Sequence, residues 1–437
     1  MQRHETIDHL DAVIRDRVDS GRSEGIAAGM IFAGADTHVV AHGDAGGGRR
    51  LDADSVFEIG SITKLFTGTL LAAMAHNGEV QLSDPVASLL PAGVSVPALK
   101  RRQITLEDLA THSSGLPRDP TTLGPGSTAN PYSDYSADAL YEFLAGHELA
   151  REPGSRVEYS NLATGLLGHA LALRAGTTYG ELVRERILQP LGMTSTAVTP
   201  SAQMDARAAI GHDARGRPIP AWLWGKSTLA GAGALRSTIG DMLRFAAANL
   251  DDEGSPLQRA MAAAQAPQKR MSLGMRVGLN WHVLGSGDRT LLLHSGATGG
   301  FFSSIGIRPA HQTAIVVLSN SRRDSVEDIA LHYLHPRIRL TPAPKQRKAI
   351  TLAPEVLDSY AGEYDLAGTI VRVTRAPEGL SVHVPGEPED LLYPESRTRF
   401  FFKEMNAQVR MKRDLRRRVS GAVLHQDGVT VAVRKVS

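Results

Sequence analysis

The sequence predicts an α+β fold followed by a second unit made of strands. Strand candidates lie at both ends of residues 26–320 and helix candidates lie between them, so one antiparallel sheet could join the two ends of this region. Beyond a Pro-rich stretch the pattern changes to short alternating segments separated by turn residues. The chain has 437 residues, which is more than a single hydrophobic core usually organises. We therefore expect a large domain and a small one.

The elements of the first domain follow from periodicity and end signals. Ile7, Leu10 and Ile14 recur at helical spacing and predict an amphipathic helix over residues 4–19. Two strands are predicted over 26–34 and 38–43, on either side of a turn at 35–37. Further helices are predicted at 62–76, 105–111, 136–145, 162–174, 178–188 and 238–249, and further strands at 290–294, 302–309 and 313–320.

The second domain begins after a linker. Residues 335–350 carry three Pro and no period, so they predict a connecting segment with the boundary near residue 345. The predicted domains are 1–340 and 341–437. Alternating strand candidates in the second domain favour a small antiparallel barrel or sandwich, and they are YAGEYDL, TIVRVTRAP, LSVHVPG, RFFFKE, QVRMKR and VTVAVRKV.

Composition excludes several classes of function. The 48 Lys and Arg nearly balance the 46 Asp and Glu, and the net charge of +2 gives no field for nucleic acid. The chain has no Cys, so it has no disulfide or thiolate nucleophile, and no metal-binding motif occurs. We expect no cofactor, no metal and no membrane span. Residues 1–25 lack the apolar core of a signal peptide, which favours a cytoplasmic protein, or a periplasmic or secreted one if a signal was trimmed.

A Gly-rich run near residue 231 has an alternative interpretation. Gly231 and Gly233 match half of a dinucleotide-binding fingerprint, but Arg236 occupies its last small position. We expect instead a tight turn packed against a sheet.

The segment VFEIGSITKLFTG, residues 56–68, contains the first candidate for chemistry. Ser61 comes immediately before the predicted helix and Lys64 follows three residues later, a spacing that brings the two side chains together on one helix face. Apolar neighbours and a second cation would lower the pKa of the lysine enough for it to act as a base. The alternative is a helix N-cap followed by a surface lysine.

Two further segments could complete a site. Tyr159 and Asn161 lie just ahead of a predicted helix, where the hydroxyl could shuttle a proton with Lys64 and the amide could hold the substrate and the lysine. As alternatives, the asparagine is a good N-cap and the tyrosine a common residue at the edge of a core. His294, Ser295 and Gly296 end a predicted strand, and a glycine there lets the backbone approach a substrate closely.

In this order the three motifs resemble the serine β-lactamase and penicillin-binding-protein superfamily, within the class C β-lactamase-like esterase and D-aminopeptidase branch. That family carries S-x-x-K, Y-x-N and K-T-G or H-x-G, and here they read SITK, YSN and HSG. Flanking segments agree, notably ITLEDLATHSSGLP and ILQPLGMTST. The resemblance covers residues 5–335 and implies a β-lactamase/transpeptidase-like fold with an all-helical subdomain. The tail is similar to the lipocalin-like domain of some members.

The resemblance also implies roles for single residues. Ser61 would form an acyl-enzyme, with Lys64 and Tyr159 as general base and acid. The backbone N–H groups of Ser61 and Ala297 would form the oxyanion hole. The remaining motif residues would bind substrate, namely Asn161, His294, Ser295 and Gly296. His294 replaces the lysine of the antibiotic-destroying enzymes, and its neutral imidazole favours an esterase or peptidase over a β-lactamase.

Several functions remain open on the sequence. The expected substrate is a small ester or a D-amino-acid amide or peptide, cleaved by an esterase, D-aminopeptidase or D,D-peptidase. The alternatives are an acyltransferase of the thioesterase class that cyclises or releases peptides, a β-lactamase, and a penicillin-binding protein without turnover. The acyl group depends on loops 118–135 and 212–228, where Trp222 and Trp224 line the pocket or pack in the core. The tail could narrow the substrate channel or mediate dimers.

Overall fold

The structure is a computed structural model, and it divides into two compact units. It describes residues 3–33, 36–123, 130–225, 227–251, 254–271, 274–335, 337–343, 347–366, 369–384, 389–403, 407–414, 416, 418–426 and 429–436. The first unit comprises residues 1–213, 217–322 and 326–340. The second comprises residues 214–216, 323–325 and 341–437.

The first unit is built on an antiparallel sheet that joins its two ends. The strands of this unit are β1 Gly25–Ile31, β2 Thr37–Gly46, β3 Arg49–Arg50, β4 Phe57–Glu58, β5 Gly211–His212, β6 Pro218–Ile219, β7 Arg236–Ser237, β8 Lys269–Arg270, β9 Met275–Val277, β10 His282–Leu284, β11 Leu291–Ala297, β12 Phe302–Arg308 and β13 Thr313–Ser319. Within the described residues the main sheet has the order β3-β2-β1-β13-β12-β11-β10-β9-β8. Ile26 pairs with Ser319, so the first strand lies beside the last. The predicted α+β arrangement is confirmed.

Helices cover the sheet and form a helical layer beside it. They are α1 Arg3–Asp19, α2 Thr63–His76, α3 Leu106–Ala110, α4 Ala137–Gly146, α5 Asn161–Ala175, α6 Tyr179–Val183, α7 Ala202–Asp205, α8 Ile239–Ala248, α9 Pro256–Gln265 and α10 Glu327–Leu334. The seven predicted helices all occur, and the one predicted over 178–188 is α6 continued by a π turn, Arg184–Leu188. The sequence prediction missed α7, α9 and α10. At the start of α9, Ser255 and Gln258 form a capping box and Pro256 is the first residue.

The sheet separates two hydrophobic clusters because its strand residues alternate between faces. Ala27, Val316 and Leu318 belong to the cluster that contains α2, α5 and α8. Ile315 and Val317 face the opposite way, toward α1 and α10. Since α2 and α5 are packed into the first cluster, most of their residues are buried, including polar ones. The candidate site lies on this side.

The second unit contains a closed eight-stranded antiparallel barrel in its described residues. Its strands are β14 Gly362–Leu366, β15 Thr369–Ala376, β16 Gly379–His383, β17 Asp390–Pro394, β18 Arg399–Phe401, β19 Ala407–Arg413, β20 Val419–Gln426 and β21 Val429–Lys435, and the helix α11 Pro354–Asp358 precedes them. Tyr364 pairs with Lys435, which closes the ring between β14 and β21. Tyr360 and Phe400 are fully buried and fill the interior with smaller apolar side chains. The predicted barrel is confirmed, whereas a sandwich is not formed.

Some boundaries differ from the predictions. The strand predicted over 26–34 ends at Ile31. Ala35, in the predicted turn, lies outside the described residues. The prediction missed β17 and β20; Pro394 ends β17, and Gly421 in β20 weakens the strand signal. Among the described residues, no helix combines the length and apolarity needed to cross a membrane.

Candidate active site

Ser61 and Lys64 lie on consecutive turns of one helical segment. A 3₁₀ turn, Gly60–Ile62, runs directly into α2, so Ser61 lies one turn before the lysine. Lys64 is fully buried, while Ser61 is partly accessible. The two side chains meet, with Lys64 Nζ 3.1 Å from Ser61 Oγ. The lysine is therefore a buried partner of the serine and not a surface residue.

The contacts of Lys64 define a direction for proton transfer. Nζ donates hydrogen bonds to Asn161 Oδ1 at 2.8 Å and to the Ala232 carbonyl oxygen at 2.6 Å. Both acceptors lack a hydrogen that they could give to nitrogen. A neutral amine has two N–H groups and one lone pair. With both N–H groups used in this way, the lone pair is left for the hydroxyl of Ser61.

The surroundings of Lys64 favour the neutral amine. Burial is the largest cause that lowers its pKa well below the ordinary value, and the nearby Arg118 guanidinium lowers it further. The Asp119 carboxylate acts in the opposite direction and raises it. Burial outweighs this opposing charge. A lowered pKa makes the lysine better suited to act as a general base.

The pKa of Tyr159 is shifted in the opposite direction to that of Lys64. Its ring lies 4.9 Å from Lys64 Nζ, and its hydroxyl is hydrogen-bonded to Ser61. Burial raises the pKa of Tyr159 to about 12, although the bond to Ser61 and the charge of Arg118 lower it in part. The phenol therefore keeps its proton at neutral pH. Beside a neutral lysine, it can serve as the acid.

The backbone of Ser61 lies against the strand that carries the H-S-G triplet. A Cβ added at Gly296 would lie 2.1 Å from the Ile59 carbonyl oxygen and 3.0 Å from the Ser61 nitrogen. At Gly60, where φ is +49°, it would lie 2.8 Å from the nitrogen of Ala297. This approach requires glycine at both positions. It brings the backbone of Ser61 close to that of Ala297, and the N–H groups of these two residues are the predicted oxyanion donors.

The H-S-G triplet places its side chains on both faces of β11. His294 is 3% exposed on the face of the site, and its Nδ1–H donates to the Ser295 carbonyl oxygen at 2.8 Å. The neutral imidazole therefore carries a lone pair at Nε2. Ser295 points to the other face, where its hydroxyl bonds Glu327 on α10. Of the predicted substrate-binding residues, Ser295 is the one whose side chain is turned away.

Three histidines surround the Tyr159 ring. The ring centroids of His112, His294 and His282 lie 4.6, 6.3 and 6.4 Å from that of the tyrosine. Burial is the main cause that lowers the pKa of each imidazole, and the pKa of His282 falls to about 4. At neutral pH the three rings are uncharged. The expectation that position 294 supplies no cation agrees with this environment.

Sequence reasoning missed a second group of residues around Asn161. The amide donates to Asp119 Oδ1 at 2.9 Å and to the Tyr132 hydroxyl at 3.2 Å. Tyr132 stacks on Trp224 with centroids 4.4 Å apart, and Trp222 lies 5.7 Å away. Loop 118–135 was expected to shape the acyl site, but nothing in its composition identified these two polar side chains. Their positions depend on how the loop folds over α5.

The Gly-rich run at residue 231 has a different environment from the predicted one. A Cβ at Gly231 would lie 3.1 Å from the Gly168 Cα and 3.1 Å from the Thr164 carbonyl oxygen, both on α5. The prediction of a turn packed against a sheet was wrong, because the run packs against a helix. Its close approach brings the Ala232 carbonyl oxygen to Lys64.

A serine beside a buried lysine and a tyrosine with a raised pKa is an arrangement typical of a serine hydrolase. A sequence model of the family described as Beta-lactamase matches residues 10–336, and the chain belongs to that family. One relative is the D-alanyl-D-alanine-carboxypeptidase/endopeptidase AmpH of Escherichia coli K12. It is 34% identical over 289 residues, which cover 61% of this chain and 72% of the relative. Penicillin-binding protein 4 of Amycolatopsis lactamdurans is 27% identical over 329 residues, which cover 70% and 84%.

Solved structures show the same fold over most of this chain. A β-lactamase/D-alanine carboxypeptidase from Yersinia pestis has a TM-score of 0.61 and 27% identity, over 74% of this chain and 94% of that one. A class C β-lactamase has a TM-score of 0.66 over 78% and 99% of the two chains. Its identity of 20% supports the fold alone.

Proposed function

We propose that this serine hydrolase forms an acyl-enzyme at Ser61 and acts on small esters or amides of the esterase, D-aminopeptidase or D,D-peptidase type. The observation that carries the proposal is the fully buried Lys64, whose Nζ lies 3.1 Å from Ser61 Oγ. Both N–H groups of the neutral amine have acceptors, so its lone pair is available to the serine. This is the arrangement of an activated nucleophile.

The proposed reaction has two acyl-transfer steps. Ser61 Oγ attacks the substrate carbonyl while Lys64 takes the hydroxyl proton. Tyr159 delivers a proton to the leaving alcohol or amine and recovers it from the lysine. The N–H groups of Ser61 and Ala297 stabilise the oxyanion, a contribution of about 3–4 kcal/mol for each donor. Water then attacks the ester at Ser61, and the same groups return the protons.

The proposed substrate class rests on the uncharged state of the His294 side chain. His294 is neutral and supplies no cation to a β-lactam carboxylate, which favours esters and peptides over antibiotics. The name of the Escherichia coli relative gives D-alanyl peptides as its substrates, and we extend this class of substrate to the present chain as part of the proposal.

Labelling of the nucleophile tests the proposal. An uncharged fluorescent phosphonate should react at Ser61, as located by mass spectrometry, and a p-nitrophenyl ester should be hydrolysed. Ser61→Ala should abolish labelling and lower ester hydrolysis by at least about 1,000-fold, since loss of a nucleophile leaves only binding and the oxyanion hole. Ser88→Ala, at an exposed serine, should change neither. Labelling that persists in Ser61→Ala would refute the proposal.

A further inference from the structure

The polar atoms of Asn161 are already engaged within the protein. Its Oδ1 accepts from Lys64, and its Nδ2 donates to Asp119 Oδ1 and to the Tyr132 hydroxyl. The two acceptors lie 2.9 Å apart, so they take hydrogen bonds from the same side of the amide nitrogen. Asn161 therefore positions both Lys64 and the Asp119 carboxylate, and its role as a substrate ligand stays a prediction.

The group beside Asn161 that reaches solvent is the Asp119 carboxylate. Its Oδ1 accepts from Tyr132 at 2.9 Å and from Asn161, which fixes its position. The side chain is 31% exposed. The Arg118 Nε lies 3.7 Å from Oδ2, which is longer than a hydrogen bond, and its side chain is 68% exposed. An exposed pair of this kind is weak. The carboxylate thus presents an accessible acceptor.

The Asp119 carboxylate lies near the reacting groups, since its negative charge raises the pKa of both Lys64 and Tyr159. It is connected to Ser61 Oγ through contacts of Lys64 with Ser61 and Asn161, and of Asn161 with Asp119. An α-nitrogen lies about 2.5 Å from the carbonyl carbon of an amino acid. A carboxylate attracts an ammonium group there, whereas it repels the carbonyl oxygen of an N-acyl group.

We propose that Asp119 binds the free α-ammonium group of the acyl part of the substrate, so that the preferred substrates are esters and amides of unblocked amino acids. This inference rests on acylation at Ser61 as the proposed function. It narrows the substrate class to compounds that carry a cation next to the scissile carbonyl. Tyr132, stacked on Trp224, positions the carboxylate.

Protection of Ser61 against the uncharged phosphonate tests the inference without requiring turnover. D-alaninamide and N-acetyl-D-alaninamide are compared by the concentration of each that halves the labelling rate. The natural chain should bind the free amine at least tenfold more tightly, and Asp119→Asn should reduce this preference about tenfold to 100-fold, as expected for a hydrogen bond between charged groups. Because the two ligands are compared on the same protein, differences in the reactivity of Ser61 between variants cancel.

Two controls distinguish recognition from a general effect of charge or folding. Asp134→Asn removes an exposed carboxylate in the same loop and should leave the preference unchanged. In the natural chain the preference for the free amine should decline as the pH rises above about 8, because the α-amino group progressively loses its proton. This measurement needs no variant.

Each outcome has one meaning. Absence of phosphonate labelling at Ser61 contradicts the proposed function itself. Labelling without a preference for the free amine, without protection by either ligand, or with the same preference in Asp119→Asn overturns the role of Asp119 and leaves the serine chemistry intact.

Discussion

Lys64 shows how a single residue can be read in two ways. In the sequence it is a cation in an apolar segment, and this pattern is compatible with a surface residue of a helix or with a buried general base. In the structure it is fully buried, its two N–H groups have acceptors, and its third neighbour is the serine. Burial lowers its pKa, while the exposed Arg118 and the half-buried Asp119 act on that pKa in opposite directions. The base is thus tuned by charges outside the catalytic motifs.

Replacing Arg118 and replacing Asp119 should shift the pH dependence of kcat/KM in opposite directions. Ester hydrolysis needs the neutral amine, so kcat/KM rises with pH as Lys64 loses its proton. Arg118→Gln removes the charge that lowers the pKa of the lysine, and the rise should shift to higher pH. Asp119→Asn removes the charge that raises it, and the rise should shift to lower pH.

The pH profile of kcat/KM for an uncharged ester measures both shifts. Asp134→Asn serves as the control and should not move the profile. If both variants shifted the profile in the same direction, the rise of kcat/KM with pH could not be assigned to Lys64.

At the scale of elements, the site depends on the approach of β11 to the turn that carries Ser61. The backbone of Gly296 contacts Ile59 and Ser61 with no room for a side chain. The Ser303 hydroxyl, on β12, donates to the same Ile59 carbonyl oxygen at 2.8 Å and ties this turn to the sheet. The geometry of the predicted oxyanion hole therefore rests on the sheet and not on a loop.

Gly296→Ala should disrupt this geometry. Its Cβ would come within 2.4 Å of Ser303 Oγ and 2.1 Å of the Ile59 carbonyl oxygen, so the strand must move away. We expect kcat to fall at least about 100-fold, comparable to the loss of one oxyanion donor. Steady-state hydrolysis of a p-nitrophenyl ester measures the effect.

A second Gly→Ala substitution, at a position with open space, serves as the control for Gly296→Ala. It distinguishes the effect of steric crowding from that of replacing any glycine. Gly146 has open space around its added Cβ, and Gly146→Ala should leave kcat within about twofold and should not destabilise the fold. A Gly296→Ala protein with normal kcat would show that the approach of β11 does not matter for catalysis.

At the scale of the whole molecule, the chain consists of two compact units with separate cores. We propose that they fold independently, with the division between residues 340 and 341. The three Trp of the chain all lie in the first unit, at positions 222, 224 and 281. Their fluorescence therefore reports on the hydrolase unit alone.

Phe400→Ala tests independent folding. Loss of a fully buried Phe from the barrel core should cost about 3–5 kcal/mol of barrel stability. The midpoint of unfolding by Trp fluorescence and the ester hydrolysis rate should stay unchanged, while hydrogen exchange in β14–β21 should accelerate. Val436→Ala, at a residue 53% exposed, is the control. A common shift of both units would argue against the proposed division.

The site could be predicted only in part from the sequence. Short-range spacing brought Ser61 and Lys64 together on a helix, and the order of the motifs indicated Tyr159 and the strand at 294–296. Asp119 and Tyr132 had no such signal, because a loop residue gains a role from what it contacts after folding. Ser295 shows the converse: it belongs to a motif, yet strand alternation directs its hydroxyl to Glu327.

The sequence by itself determined the element types, the antiparallel sheet that joins the ends of the first unit, the barrel and the family, because these follow from local periodicity and ordered motifs. Tertiary structure decided which ionisable groups are buried and in which direction their pKa values shift. Burial lowers the pKa of Lys64, and Asn161 contacts Asp119 and Tyr132, which are distant from it in the sequence. Burial and hydrogen-bond partners are properties of packing between segments, which local sequence does not specify.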